Sequence, residues 1–119
     1  MQTRQQQWAQ AAFQQVNTFT VSCKSEGKLS ELSSYRSFAR SFPALIHECG
    51  LVQAIAFAEC KKSPLLKHLE SILHKDEQLA NLSRTAPLHS YILLSQQALD
   101  AACWLKRYAE ALIPVDQEQ

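Results

Sequence analysis

The chain has 119 residues and a formal net charge of +1, from 12 basic and 11 acidic residues. That length suits one domain able to fold without metal or disulfide, and the balanced charge argues against a free-standing nucleic-acid binder, which needs a strongly basic face. Hydrophobic residues make up 46% of the sequence, far from a disordered composition, and no apolar run approaches the ~20 residues of a membrane span.

Glycine occurs only at Gly27 and Gly50, whereas Ala, Leu and Gln are abundant, a composition that favours helix. No internal repeat or change of composition marks a boundary, so residues 1–119 read as a single helical domain, with 115–119 a frayed tail. The first helix is predicted to start at Thr3, whose hydroxyl can cap it with Gln6 completing a capping box. Trp8, Ala12, Val16 and Phe19 then form an apolar stripe backed by an uncharged glutamine face. The run from Cys23 to Lys28 reads as the first loop. Ser30 is the expected cap of a second helix, with Leu32, Tyr35, Ala39 and Phe42 inward and Arg36 and Arg40 together on its flank. Pro43 is expected to end or kink that helix and to start a short one reaching Cys49.

Gly50 marks the next break, before a helix from Leu51 to Lys62 whose stripe is Leu51, Ala54, Ile55 and Ala58. Lys61 and Lys62 close it, where the helix dipole favours cations. Ser63-Pro64 is a start signal for a helix carrying Leu65, Leu66, Leu69, Ile72 and Leu73 and fading at His74-Lys75. A polar connection, anchored by Leu79 and Leu82, runs to Ala86. The last helix spans Leu88 to Ile113 without Gly or Pro and stops at Pro114. It carries two apolar stripes: Leu88, Ile92, Leu99, Ala102, Leu105, Ala109 and Leu112, and Tyr91, Leu94, Ala98, Ala101, Trp104 and Tyr108. A helix apolar on two sides is central in its bundle or packs on a partner. The expected fold is therefore all-α, a compact bundle of five or six helices with a long C-terminal one.

The chemistry-bearing residues do not converge. Acidic side chains are scattered beside lysines and arginines and read as solvated helix faces. His47, Glu48 and Cys49 are adjacent in sequence and point to different sides of a helix, while Cys23, Cys49, Cys60 and Cys103 lack ligand spacing, so no metal is expected. The thiols read as reduced and mostly buried. MQTRQQQWAQ lacks the apolar core of a signal peptide, and the reading is a cytoplasmic protein. His68 is the best candidate for an exposed phosphotransfer histidine, although no glycine loop is present to cradle phosphate. A generic helical adaptor that binds another protein through its apolar faces is the wider alternative. Nothing resembles a base-reading recognition helix.

Several landmarks fall in a recognisable order. Met1-Gln2-Thr3-Arg4 leads into Trp8-Ala9. Tyr35-Arg36-Ser37 precedes Phe42-Pro43-Ala44-Leu45-Ile46, then Gly50-Leu51-Val52-Gln53-Ala54 and Ala56-Phe57. The chain ends on Trp104-Leu105-Lys106-Arg107-Tyr108-Ala109-Glu110-Ala111. Over nearly its whole length this pattern resembles the small subunit of the type III-B (Cmr) CRISPR RNA-guided effector complex.

The resemblance implies an all-α protein with no catalytic residues and no cofactor, of which several copies stack in the minor filament of the effector. It implies as partners the backbone subunit that holds guide RNA, the large polymerase-like subunit and further copies of the chain, along a channel for target RNA in antiviral defence. Arg36, Arg40, Lys61, Lys62, Lys106 and Arg107 become the candidate contacts to RNA backbone, supplying charge without reading bases. Trp104, Tyr108 and Tyr91, with the glutamine face of the first helix, become candidate subunit contacts, since stacking needs two complementary surfaces per copy. Gly50 and Pro43 would set sharp turns between helices.

Overall fold

The computed structural model describes residues 2–73 and 78–114. Among the described residues six helices follow one another: α1 Arg4–Glu26, α2 Leu29–Cys49, α3 Leu51–Lys61, α4 Leu65–Leu73, α5 Leu79–Thr85 and α6 Leu88–Leu112. The described residues contain no strand, so the chain is all-α with a long C-terminal helix, as expected.

Helix α6 packs against α1, α2 and α4, and α3 closes the bundle against α2, α4 and α5. This central place follows from its composition. Leu94, Ala98, Ala101, Ala102, Leu105 and Ala109 are buried, and four of the six are alanines, whose small side chains let neighbouring helices approach closely. The predicted inner faces of α2 and α3 are also in the core: Leu32, Tyr35, Ala39 and Phe42, then Leu51, Ala54, Ile55 and Ala58, are all buried. In α1, Trp8, Ala12 and Val16 are buried and Phe19 packs on the core from a half-buried position.

The helix starts and stops follow local chemistry, with five departures from the sequence reading. Thr3 caps α1 as expected: its Oγ1 accepts from the Gln6 N–H at 3.1 Å, and Gln6 Oε1 accepts from the Thr3 N–H at 2.8 Å. The helix, however, runs on to Glu26 instead of stopping at Cys23. Gly27, at φ +74, supplies the left-handed residue of a Schellman motif, in which the Lys28 N–H reaches the Cys23 carbonyl at 2.8 Å and the Gly27 N–H that of Lys24 at 3.4 Å. The extra turn buries Cys23.

Helix α2 starts after Lys28, not at a Ser30 cap, and no side chain caps it. It also runs through Pro43 to Cys49 without a break. Proline there leaves the Ala39 carbonyl without its helical donor, a cost of about 3 kcal/mol. Ending the helix would instead pull Phe42 and Ile46, which are 1% and 5% exposed, out of the core, and burying two such side chains outweighs one lost bond. The turn falls at Gly50 (φ +88), as predicted. Helix α3 then ends one residue early, with Lys62 in the left-handed region at φ +55.

The Ser63 hydroxyl accepts from the Leu65 N–H at 3.2 Å at the start of α4. His74-Lys75, where that helix was expected to fade, lies outside the described residues. Residues 79–85, read as a polar connection, form α5. Leu79 and Ala80 are buried, and the Leu79 N–H donates to Glu70 Oε2 at 2.7 Å, so a carboxylate of α4 occupies the N-terminus of α5. Leu79 is the anchor expected of this segment, whereas the contact from Glu70 is carried by no local pattern.

Candidate functional site

The six basic candidates separate into two groups on the surface. Arg36 and Arg40 leave α2 toward the C-terminal turns of α6. The half-buried Arg36 donates through Nε to the Ile113 carbonyl at 3.2 Å, which satisfies a backbone acceptor just past the helix end. Arg40 Nε lies 3.0 Å from Glu110 Oε2. Lys106 and Arg107 sit one turn before Glu110 on the same helix, half-buried and exposed respectively. The four cations thus share one end of the α2–α6 pair, where both arginines are engaged within the protein.

Lys61 and Lys62 belong to the other side of α2. Both are exposed and neither pairs with a carboxylate among the described residues. The Lys61 ammonium lies 5.6 Å from the ring centre of Phe38 and 5.5 Å from that of Phe57. Beneath it, Ser30, Ser33, Ser34, Ser37 and Ser41 of α2, with Phe38 and Phe57, line a cleft of about 630 Å³. A second cleft of about 490 Å³ adjoins it and is bordered by Phe19, Glu31, Tyr35, Lys62, Ser63 and Pro64. Sequence reasoning named the lysines but missed the serines and Phe57. The serine spacing of three and four was legible as one helical face; the approach of Lys61 was not.

The candidate contact aromatics are half-buried and knit α6 to its neighbours. Trp104 Nε1–H donates to Gln5 Oε1 at 2.6 Å. Its ring stacks on Tyr108 at 6.1 Å, and Tyr108 meets Phe13 of α1 edge-on at 5.6 Å. Tyr91 accepts through its hydroxyl from the Val52 N–H at 3.2 Å, providing α3 with the N-terminal acceptor it otherwise lacks. Each ring therefore fixes a helix pair and keeps part of its surface outward. The first turns of α6 also expose Leu88, Ile92 and Leu93.

His68 is not the exposed histidine that phosphotransfer requires. It is 9% exposed, on the inner face of α4 between Leu65 and Ile72, and its Nδ1 lies 2.7 Å from the Tyr35 hydroxyl. Phe19 meets its ring edge-on at 5.9 Å. Desolvation lowers the pKa of His68 to about 4 and raises that of Tyr35, so near neutral pH the pair is an uncharged, internally satisfied hydrogen bond.

The thiols also depart from expectation. Only Cys23 is buried, whereas Cys49, Cys60 and Cys103 are exposed, because each of the three falls on the outer side or at the end of its helix and the helix face outweighs the general preference of cysteine for interiors. No cluster of three metal-ligating side chains occurs among the described residues, and none of the described helices is long and apolar enough to cross a membrane.

Comparison with known proteins follows the same outline. The family model for CRISPR-associated protein (Cas_Cmr5) matches residues 4–112. The CRISPR system Cmr subunit Cmr5 of Thermus thermophilus is 37% identical over 119 residues, covering 95% of this chain and 98% of its own. The X-ray crystal structure of a CRISPR-associated Cmr5 family protein from Thermus thermophilus superposes with a TM-score of 0.82 at 36% identity, over 95% of this chain and all of that one.

Proposed function

The chain belongs to the CRISPR-associated Cmr5 family, and from that membership we propose that it is the non-catalytic small subunit of a cytoplasmic type III-B effector, stacking in copies beside the guide-RNA backbone and lining the target-RNA channel. The observation that carries the reading is the family match across residues 4–112, supported by a whole-chain likeness to a solved member. The half-buried rings on α6 and the exposed apolar side chains at its start suit a protein that works inside an assembly. Cations without a strongly basic face suit a subunit that adds a few phosphate contacts to a shared channel.

The phosphotransfer alternative loses its ground with the burial of His68. A generic helical adaptor remains the competitor, since its apolar faces would be the same. The test is a tagged pull-down from the native host, with mass spectrometry of the proteins and sequencing of the RNA. Recovery of Cmr subunits with mature guide RNA is the expected result. Recovery of unrelated proteins without guide RNA would replace the effector reading by the adaptor one.

A further inference from the structure

The cleft between α2 and the end of α3 combines three features that the function does not by itself require of one place. The first is its floor. With 3.6 residues per turn, Ser30, Ser33, Ser34, Ser37 and Ser41 occupy one arc of α2, between the Arg36–Arg40 flank that faces α6 and Phe38 that faces α3. All five are exposed, and among the described residues only the Ser41 hydroxyl is engaged, with the Phe38 carbonyl at 3.1 Å. The stripe runs about 16 Å along the helix.

The second is its cation. Lys61 is poised over the cleft against two rings, with no carboxylate partner among the described residues. Glu31 borders only the adjoining cleft, so among the described residues the serine-floored one has no acidic lining. The third is its wall: Phe57 is 46% exposed, unusual for a phenylalanine on a helix that otherwise packs into the core. Hydroxyl donors, an ammonium with no carboxylate partner among the described residues and a partly exposed aromatic ring together match a phosphodiester chain whose bases are free to stack, which is single-stranded nucleic acid. Small serine side chains let a sugar-phosphate backbone lie close, and rotating hydroxyls bond phosphate oxygens without reading sequence.

We infer that this serine-floored cleft, with Lys61 on phosphate and Phe57 as a stacking platform for a base, is where the chain holds single-stranded RNA. The inference rests on the effector reading above and moves the contact away from Arg36 and Arg40, whose guanidinium groups are engaged by the Ile113 carbonyl and by Glu110. One cation and a stacked base make a weak site, consistent with a protein of formal net charge +1 that meets RNA only where partners hold it in place.

The test is photo-crosslinking in the assembled effector, with target RNA substituted by 4-thiouridine and crosslinked peptides mapped by mass spectrometry. Crosslinks within residues 29–42 and 51–62, centred on Phe57, are expected. Phe57→Ala should lower their yield at least about fivefold, the smallest effect expected from losing one stacked base, and Lys61→Glu should do so independently, with thermal unfolding of the isolated chain unchanged. Crosslinks confined to other helices of this chain would overturn the cleft and leave the effector reading standing. An effector that contains the chain yet yields no crosslink to it would overturn the cleft and the RNA contact together. Failure of the chain to enter any guide-RNA complex would overturn the function itself.

Discussion

Acid should destabilise this protein through His68 well before its carboxylates are all protonated. In the folded chain the imidazole sits beneath α2 with the Tyr35 hydroxyl 2.7 Å from Nδ1 and the Phe19 ring against it. Burial lowers its pKa from 6.5 to about 4. Unfolding frees it to bind a proton at its ordinary pKa, so between those two values the unfolded state carries more protons than the folded one. Stability from this group is therefore fully present above about pH 6.5 and is lost as pH falls to about 4. The gap, at about 1.4 kcal/mol per pH unit, makes the loss about 3 kcal/mol, a large share of the 5–15 kcal/mol of a typical domain (roughly).

Urea unfolding followed by circular dichroism, at intervals from pH 7.5 to 4, should show this loss in the wild type. His68→Gln removes the titrating group, and the difference between the two proteins isolates it from the carboxylates that both share. The wild type should lose up to about 3 kcal/mol more than the variant across that range. Parallel pH profiles for the two proteins would refute the reasoning, because they would mean that His68 binds a proton equally well folded and unfolded. Tyr35→Phe supplies a separate check: it strands Nδ1 without a partner, at a cost of about 1–3 kcal/mol at neutral pH.

Arg36→Ala should destabilise by about 1.5–3 kcal/mol, since a charge-assisted bond to the Ile113 carbonyl is lost in a half-buried place, whereas Arg40→Ala should cost less than about 1 kcal/mol because its pair with Glu110 is exposed. Thermal melts of the two variants give the comparison, and equal effects would contradict it. Leu79→Ala should cost about 2–5 kcal/mol by denaturant unfolding, as expected for a fully buried leucine; a loss under about 1 kcal/mol would mean that α5 is not part of the core. Under native reducing conditions, a colorimetric thiol reagent should modify Cys49, Cys60 and Cys103 quickly and Cys23 only on unfolding. Burial pushes the Cys23 thiol pKa up and so slows it further.

Periodicity and capping made most of this fold legible from the chain alone. The Thr3 and Gln6 capping box, the apolar faces of α2 and α3 and the glycine break at Gly50 are local signals, each set by residues within one or two turns of one another. The unbroken run of α6 is local as well, because helix needs only the absence of Gly and Pro over 25 residues that favour it. The burial of His68 was also written there, in the spacing of Leu65, His68, Leu69 and Ile72 on one side of α4; a residue type associated with surface chemistry obscured a plain core position.

What the tertiary structure alone decided is what happens where one element answers another. Pro43 stays inside α2 because Phe42 and Ile46 are held in a core that other helices build. Residues 79–85 become helical because Glu70, nine positions from Leu79, accepts from its backbone. The basic residues were equivalent as a list of charges; distance separates them. Arg36 and Arg40 reach α6 across 77 and 70 positions of sequence and are taken up there, while Lys61 comes to rest over Phe38 and Phe57 with no carboxylate partner among the described residues. A sequence fixes which side of a helix a side chain leaves from, through a repeat of 3.6 residues. What that side chain meets depends on how the helices pack, and packing is settled by the whole buried surface at once.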